Sequence, residues 1–146
     1  MYTLEYVTYP LIFLCLWIIS FLLHEFSHGL ECNRQTGQFG RIGVSIKYLT
    51  MWHEPQGNIQ NYSLYFLAGG LYSGLCFLLF SLLIYPYVLF TLVYMLWIVG
   101  VTNIVYSVYE YKYLPVWGNN RQYTVGRYTV YLSVITVMVI VYWSMI

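Results

Sequence analysis

The chain has 146 residues, 60% of them hydrophobic and 8% charged, with a formal net charge of +1. Soluble domains carry roughly a quarter charged residues, so this composition excludes a surface bathed in water on all sides and points to one polytopic membrane domain over residues 1–146. The six Lys and Arg residues occur singly, which excludes the basic patch that nucleic-acid binding requires.

The first apolar segment, Pro10–Cys32, exceeds the roughly 20 residues that a membrane-spanning helix needs. The ten residues at the start hold Glu5 and no Lys or Arg. The basic region of a signal peptide is therefore missing, and the segment is expected to persist as a helix. Within it stands His24-Glu25-Phe26-Ser27-His28, an HExxH motif. Residues four apart share a helix face, so His24 and His28 can offer imidazole nitrogens to one metal ion, with Glu25 in reach of a metal-bound water. Zinc suits such ligands and lowers the pKa of its water to about 7, where a neighbouring carboxylate can take the proton. Ionisable side chains inside an apolar segment are costly and mark functional sites by default. Glu31 lies seven residues beyond His24, about 10 Å along a helix axis. That is too far for the two to share an ion, and a solvated interfacial charge is expected there.

The following loop contains Arg41-Ile-Gly-Val-Ser-Ile-Lys-Tyr48, whose character alternates with period two, a strand signature. Ile42, Val44, Ile46 and Tyr48 would share one face, and Arg41, Gly43, Ser45 and Lys47 the other. A return strand over Met51–Glu54 completes an amphipathic β-hairpin. Two roles are open to it: lying on the bilayer surface, or pairing its edge with an extended substrate.

In the second apolar segment, Ser63–Ile84, small residues recur at i and i+4, Gly69 with Ser73 and Gly70 with Gly74. That pattern predicts close backbone packing between helices, and such glycines can also admit a substrate backbone. Tyr85-Pro86-Tyr87 joins this segment tightly to the third, Tyr87–Tyr109, making the two antiparallel neighbours. A fourth apolar segment, Tyr128–Ile146, is rich in Val, Ile and Thr and is expected as an additional helix. Cys15, Cys32 and Cys76 are odd in number and widely spaced. They read as packing residues rather than a disulfide framework.

Catalytic zinc usually takes three protein ligands and keeps a fourth position for water. Glu110, at the end of the third segment, is the expected third ligand, with His53 and Glu54 in the hairpin as alternatives. Basic residues favour the cytoplasmic side. Arg34, Arg41 and Lys47 follow the first segment, and Lys112, Arg121 and Arg127 follow the third. The expected topology therefore has both long loops inside, both termini outside, and the ends of the first and third segments meeting at the cytoplasmic side of the cell membrane. Asn103 shares a helical face with Glu110. It is placed either to donate to a substrate backbone or developing oxyanion, or to bond helix to helix.

The order of HExxH, then Ala68-Gly69-Gly70, then Asn103 to Glu110 resembles the site-2 protease family of intramembrane zinc metalloproteases, over roughly residues 10–112. The resemblance implies zinc held by His24, His28 and Glu110, Glu25 as catalytic base, and a membrane-protein substrate cut in or near a transmembrane segment. The family usually has Ala-Gly-Pro and a following Asn in its second helix, and here Gly70 and Gly74 stand instead. Its third helix usually has a proline after the Asn and ends in Leu-Asp-Gly. This chain has Ile104 after Asn103 and Glu in place of Asp, one residue closer. The expectation is an all-α polytopic membrane protein of about four transmembrane helices with a short β-hairpin in its first cytoplasmic loop, acting as a zinc endopeptidase. A catalytically inactive membrane binding protein that retains a protease-like fold is the alternative.

Overall fold

The computed structural model describes residues 2–45, 50–87, 90–117, 132–133, 135–137 and 139–140. Helix α1 spans Tyr2–Thr36, strands β1 and β2 span Arg41–Ser45 and Thr50–Glu54, and helices α2 and α3 span Tyr62–Ile84 and Phe90–Trp117. All three helices are long and apolar enough to cross a membrane, over Thr8–Thr36, Tyr62–Ile84 and Phe90–Tyr113. Most of the expected fourth helix, Tyr128–Ile146, lies outside the described residues; those of its residues that are described are helical, with Leu132, Val137 and Ile140 exposed.

α1 begins before the expected Pro10 and runs through it. Proline removes one N–H donor, which membrane helices tolerate because neighbouring groups and local adjustment satisfy the freed carbonyl. At 35 residues the helix is about 52 Å long, well beyond the roughly 30 Å hydrocarbon core. It must therefore tilt or extend past the apolar layer. Leu11, Leu14, Ile18, Ile19 and Leu22 point outward from it, an apolar face suited to lipid. Phe13, Leu16, Trp17 and Leu23 turn inward onto Phe77, Leu96 and Val99, where the three helices meet.

α2 starts where Asn61 Oδ1 accepts the Leu64 N–H at 3.0 Å, satisfying one of the free amides at a helix start. Gln35 at the end of α1 bonds both backbone groups of Asn61, accepting its N–H at 2.8 Å and donating to its carbonyl at 3.1 Å. The two ends of the hairpin-bearing loop are thereby tied together.

α2 and α3 approach closely because glycines face each other across their seam. A Cβ on Gly74 would stand 2.6 Å from the Gly100 carbonyl oxygen, and one on Gly70 would overlap the Asn103 carbonyl oxygen. Hydroxyls near this seam return to their own helix: Ser73 donates to Gly69 O at 2.7 Å, Thr102 to Ile98 O at 2.6 Å, and Ser107 to Ile104 O at 2.8 Å. These three hydroxyls are thus buried without a deficit of hydrogen bonds.

The hairpin forms as an antiparallel pair with Ile42 opposite His53 and Val44 opposite Met51. The return strand begins at Thr50, one residue early, and residues 46–49, which include part of the expected first strand, lie outside those described. Ile42 and Val44 are exposed.

Two expectations require correction. Glu31 is not a solvated charge but 1% exposed. Arg34 grips it in bidentate fashion at 2.8 and 2.6 Å, and Gln35 and Tyr72 donate to it at 2.7 and 3.3 Å. Burial of a carboxylate is tolerable when its lone pairs are filled in this way, and Tyr72 makes the network a bond between α1 and α2. Of the cysteines, Cys32 packs with Ile59 and Tyr65, whereas Cys15 and Cys76 are exposed rather than packed.

Gly74→Ala is expected to destabilise the helix assembly by about 1–3 kcal/mol through overpacking, measured by unfolding in mixed micelles. Leu83→Ala, at a position 72% exposed, is the control that should leave the midpoint unchanged.

Candidate metal centre

The two histidines of α1 and the carboxylate of α3 converge in the interior, all three buried. Glu110 Oε2 lies 2.9 Å from His24 Nε2 and 3.5 Å from His28 Nε2, and the two Nε2 atoms are 3.2 Å apart. A tetrahedral zinc site with bonds of 2.0–2.1 Å separates its ligand atoms by about 3.3 Å. The observed triangle brackets that spacing. Two imidazoles and one carboxylate also form a donor set that zinc takes readily, whereas calcium and magnesium favour oxygen throughout. His24, His28 and Glu110 form a group able to hold a metal ion.

His28 is oriented from α2. Its Nδ1 lies 2.7 Å from the Tyr65 carbonyl oxygen, which can only accept, so a proton sits on Nδ1 and Nε2 faces the cluster. His24 is held differently: its Nδ1 is buried with no hydrogen-bond partner among the described residues. Packing against the Tyr106 ring, 5.3 Å between centroids, and the bond to Glu110 set its position. Both Nε2 atoms and the Glu110 carboxylate thus face one another, an arrangement that a central cation can bridge.

Glu25 is buried beside His24 and makes no hydrogen bond among the described residues. A buried carboxylate without committed partners is able to accept a proton from a bound water.

The alternative ligands lie elsewhere. His53 Nε2 donates to the Phe39 carbonyl at 2.6 Å, and its Nδ1 lies 2.8 Å from the Tyr65 hydroxyl, so both ring nitrogens are engaged. Burial lowers its proton affinity below the ordinary histidine value, with the Phe39 bond opposing. Glu54 pairs across the hairpin with Arg41 and is exposed. Asn103 Nδ2 donates to Ser20 Oγ at 2.6 Å and to the Val99 carbonyl at 2.9 Å, which ties α3 to α1 about two helical turns from Glu110.

Sequence reasoning did not single out Tyr65. Its backbone carbonyl positions His28 while its hydroxyl reaches His53 on β2, and a carbonyl leaves no mark in a residue pattern. The one available signal was Tyr65 standing three residues before the Ala-Gly-Gly stretch in a helix expected to abut the histidines.

Comparison of the chain with protein-family models, curated proteins and solved structures finds no match.

Because Asn103 and Ser20 are bonded side chain to side chain across α1 and α3, a double-mutant cycle with Ser20→Ala and Asn103→Leu should return a coupling energy of about 0.6 kcal/mol, the usual size for such bonds in membrane proteins. A coupling of zero would remove Asn103 from the role of helix tie.

Proposed function

We propose that this chain is an intramembrane zinc metalloprotease that hydrolyses peptide bonds in or near transmembrane segments of other membrane proteins. The observation that carries the reading is the triangle of His24 Nε2, His28 Nε2 and Glu110 Oε2, with sides of 2.9, 3.2 and 3.5 Å, built on helices long and apolar enough to cross a membrane, with Glu25 beside it. The resemblance of its motif order to the site-2 protease family supports the same conclusion.

In this reading His24, His28 and Glu110 hold zinc, which when bound polarises the scissile carbonyl and makes water more acidic. Glu25 accepts a proton from the attacking water and returns it to the amide nitrogen. The new C–O bond thus forms, the C–N bond breaks, and a carboxylic acid and an amine leave. A helical substrate shields its carbonyls with its own hydrogen bonds, so it must unwind locally before attack. β1, Arg41–Ser45, offers a strand edge on which the unwound segment can extend. Arg34 and Arg41 beyond the centre support, by the positive-inside rule, a location of this chemistry toward the cytoplasmic side of the cell membrane, with both termini outside if a fourth span is present.

One observation favours a second reading. The contact from His24 to Glu110 at 2.9 Å can also be a charge-assisted hydrogen bond joining α1 to α3 without metal, as in a silent binding protein. Metal analysis separates the two. Protein purified without chelators should carry about one zinc per chain, lost in His24→Ala and His28→Ala and weakened in Glu110→Ala; metal-free wild type would favour the silent protein. Glu25→Gln should retain zinc and lose cleavage of a transmembrane substrate by about 100-fold or more. Undiminished cleavage in that variant would remove Glu25 as the base.

A further inference from the structure

α2 supplies no ligating side chain, yet its backbone forms a wall of the metal centre. Tyr65 and Gly69 lie one helical turn apart on the same face. The Tyr65 carbonyl accepts from His28 Nδ1. An ideal Cβ built on Gly69 would overlap His28 Nε2, and it would stand 2.6 Å from His28 Cε1 and 2.8 Å from His24 Nε2. The space that a single methyl would fill is therefore the space faced by the two nitrogens that meet Glu110.

The neighbouring glycines behave differently. A Cβ on Gly70 meets the Asn103 carbonyl and the Ser107 side chain, and one on Gly74 meets the Gly100 carbonyl and Ile104. Those two bring α2 against α3. At Gly69 the three nearest atoms all belong to the imidazoles of α1. Helix packing and access to the centre are thus divided between successive glycines of one stretch.

We infer that Gly69 is a positioning residue whose missing side chain keeps open the space that the cation and its fourth, non-protein ligand need. This rests on the metal reading of His24, His28 and Glu110. Three protein ligands leave a fourth position for water or a substrate carbonyl. α1 and α3 provide the ligands, so the bare Gly69 backbone is the wall along which such a group can fit. A side chain there excludes zinc without removing any ligand.

The test compares Gly69→Ala with Gly70→Ala in the full chain, using zinc as the probe. Zinc content and chelator competition report binding, and helicity and the unfolding midpoint report the fold. Gly69→Ala should remain folded and bind zinc at least about 10-fold more weakly, the scale on which disturbed surroundings of metal ligands act. Gly70→Ala should lose stability while each folded chain keeps its zinc. Equal zinc affinity in Gly69→Ala and a zinc-loaded wild type overturns the inference alone, whereas a zinc-free wild type overturns the metal reading beneath it. If Gly69→Ala does not fold, the comparison becomes Gly69→Ala/His28→Ala against His28→Ala. Equal stability of those two shows that the crowding at position 69 is with the imidazole, as inferred, and continued failure to fold shows that it lies elsewhere and overturns the inference.

Discussion

A charged or polar side chain in the hydrocarbon layer has no water to fall back on, and its partners must come from the protein. In α1 that constraint falls on His24 and His28, one turn apart. α1 cannot satisfy them alone, because a helix offers side chains at positions four apart only its own spent backbone. The His24 and His28 nitrogens therefore meet Glu110 of α3 and the Tyr65 carbonyl of α2. Three helices thus together bring a carboxylate and a carbonyl to two adjacent imidazoles.

The close approach of the helices follows from the same need. Gly70, Gly74 and Gly100 remove side chains from the α2–α3 seam, and hydroxyls along it bond back to their own helices. α3 is thereby brought near enough to α2 for Glu110 to reach across to α1. Asn103 and Ser20 add a direct tie from α3 to α1 deeper in the bundle. Since lipid is as apolar as leucine, packing of this kind and interhelical hydrogen bonds, rather than apolar burial, hold membrane helices together.

At the loop end of α1 a second buried carboxylate, Glu31, is satisfied by Arg34, Gln35 and Tyr72, and Gln35 bonds the Asn61 backbone at the start of α2. The hairpin hangs from this fastened loop. His53 on β2 bonds Phe39 and lies against the Tyr65 hydroxyl, so the strand pair is connected to the residue whose carbonyl orients His28. The strand pair and the His24–His28–Glu110 cluster consequently share one anchoring residue, Tyr65, through its hydroxyl and its backbone carbonyl.

The sequence by itself determined the membrane class, because composition and the length of apolar runs act without regard to partners. It also determined the hairpin, whose period-two pattern is local, and the pairing of His24 with His28, because a spacing of four is a property of one helix. The small-residue stretch announced close packing, and Glu110 was legible as the acid ending the third segment. Only the tertiary structure decided that Glu31 is buried, that both nitrogens of His53 are engaged away from the centre, and that Tyr65 orients His28. It alone separated Gly69, facing the imidazoles, from Gly70 and Gly74, facing α3. These facts depend on how each helix is rotated about its axis and on backbone groups that every residue carries alike, and neither leaves a distinguishing mark in the order of side chains.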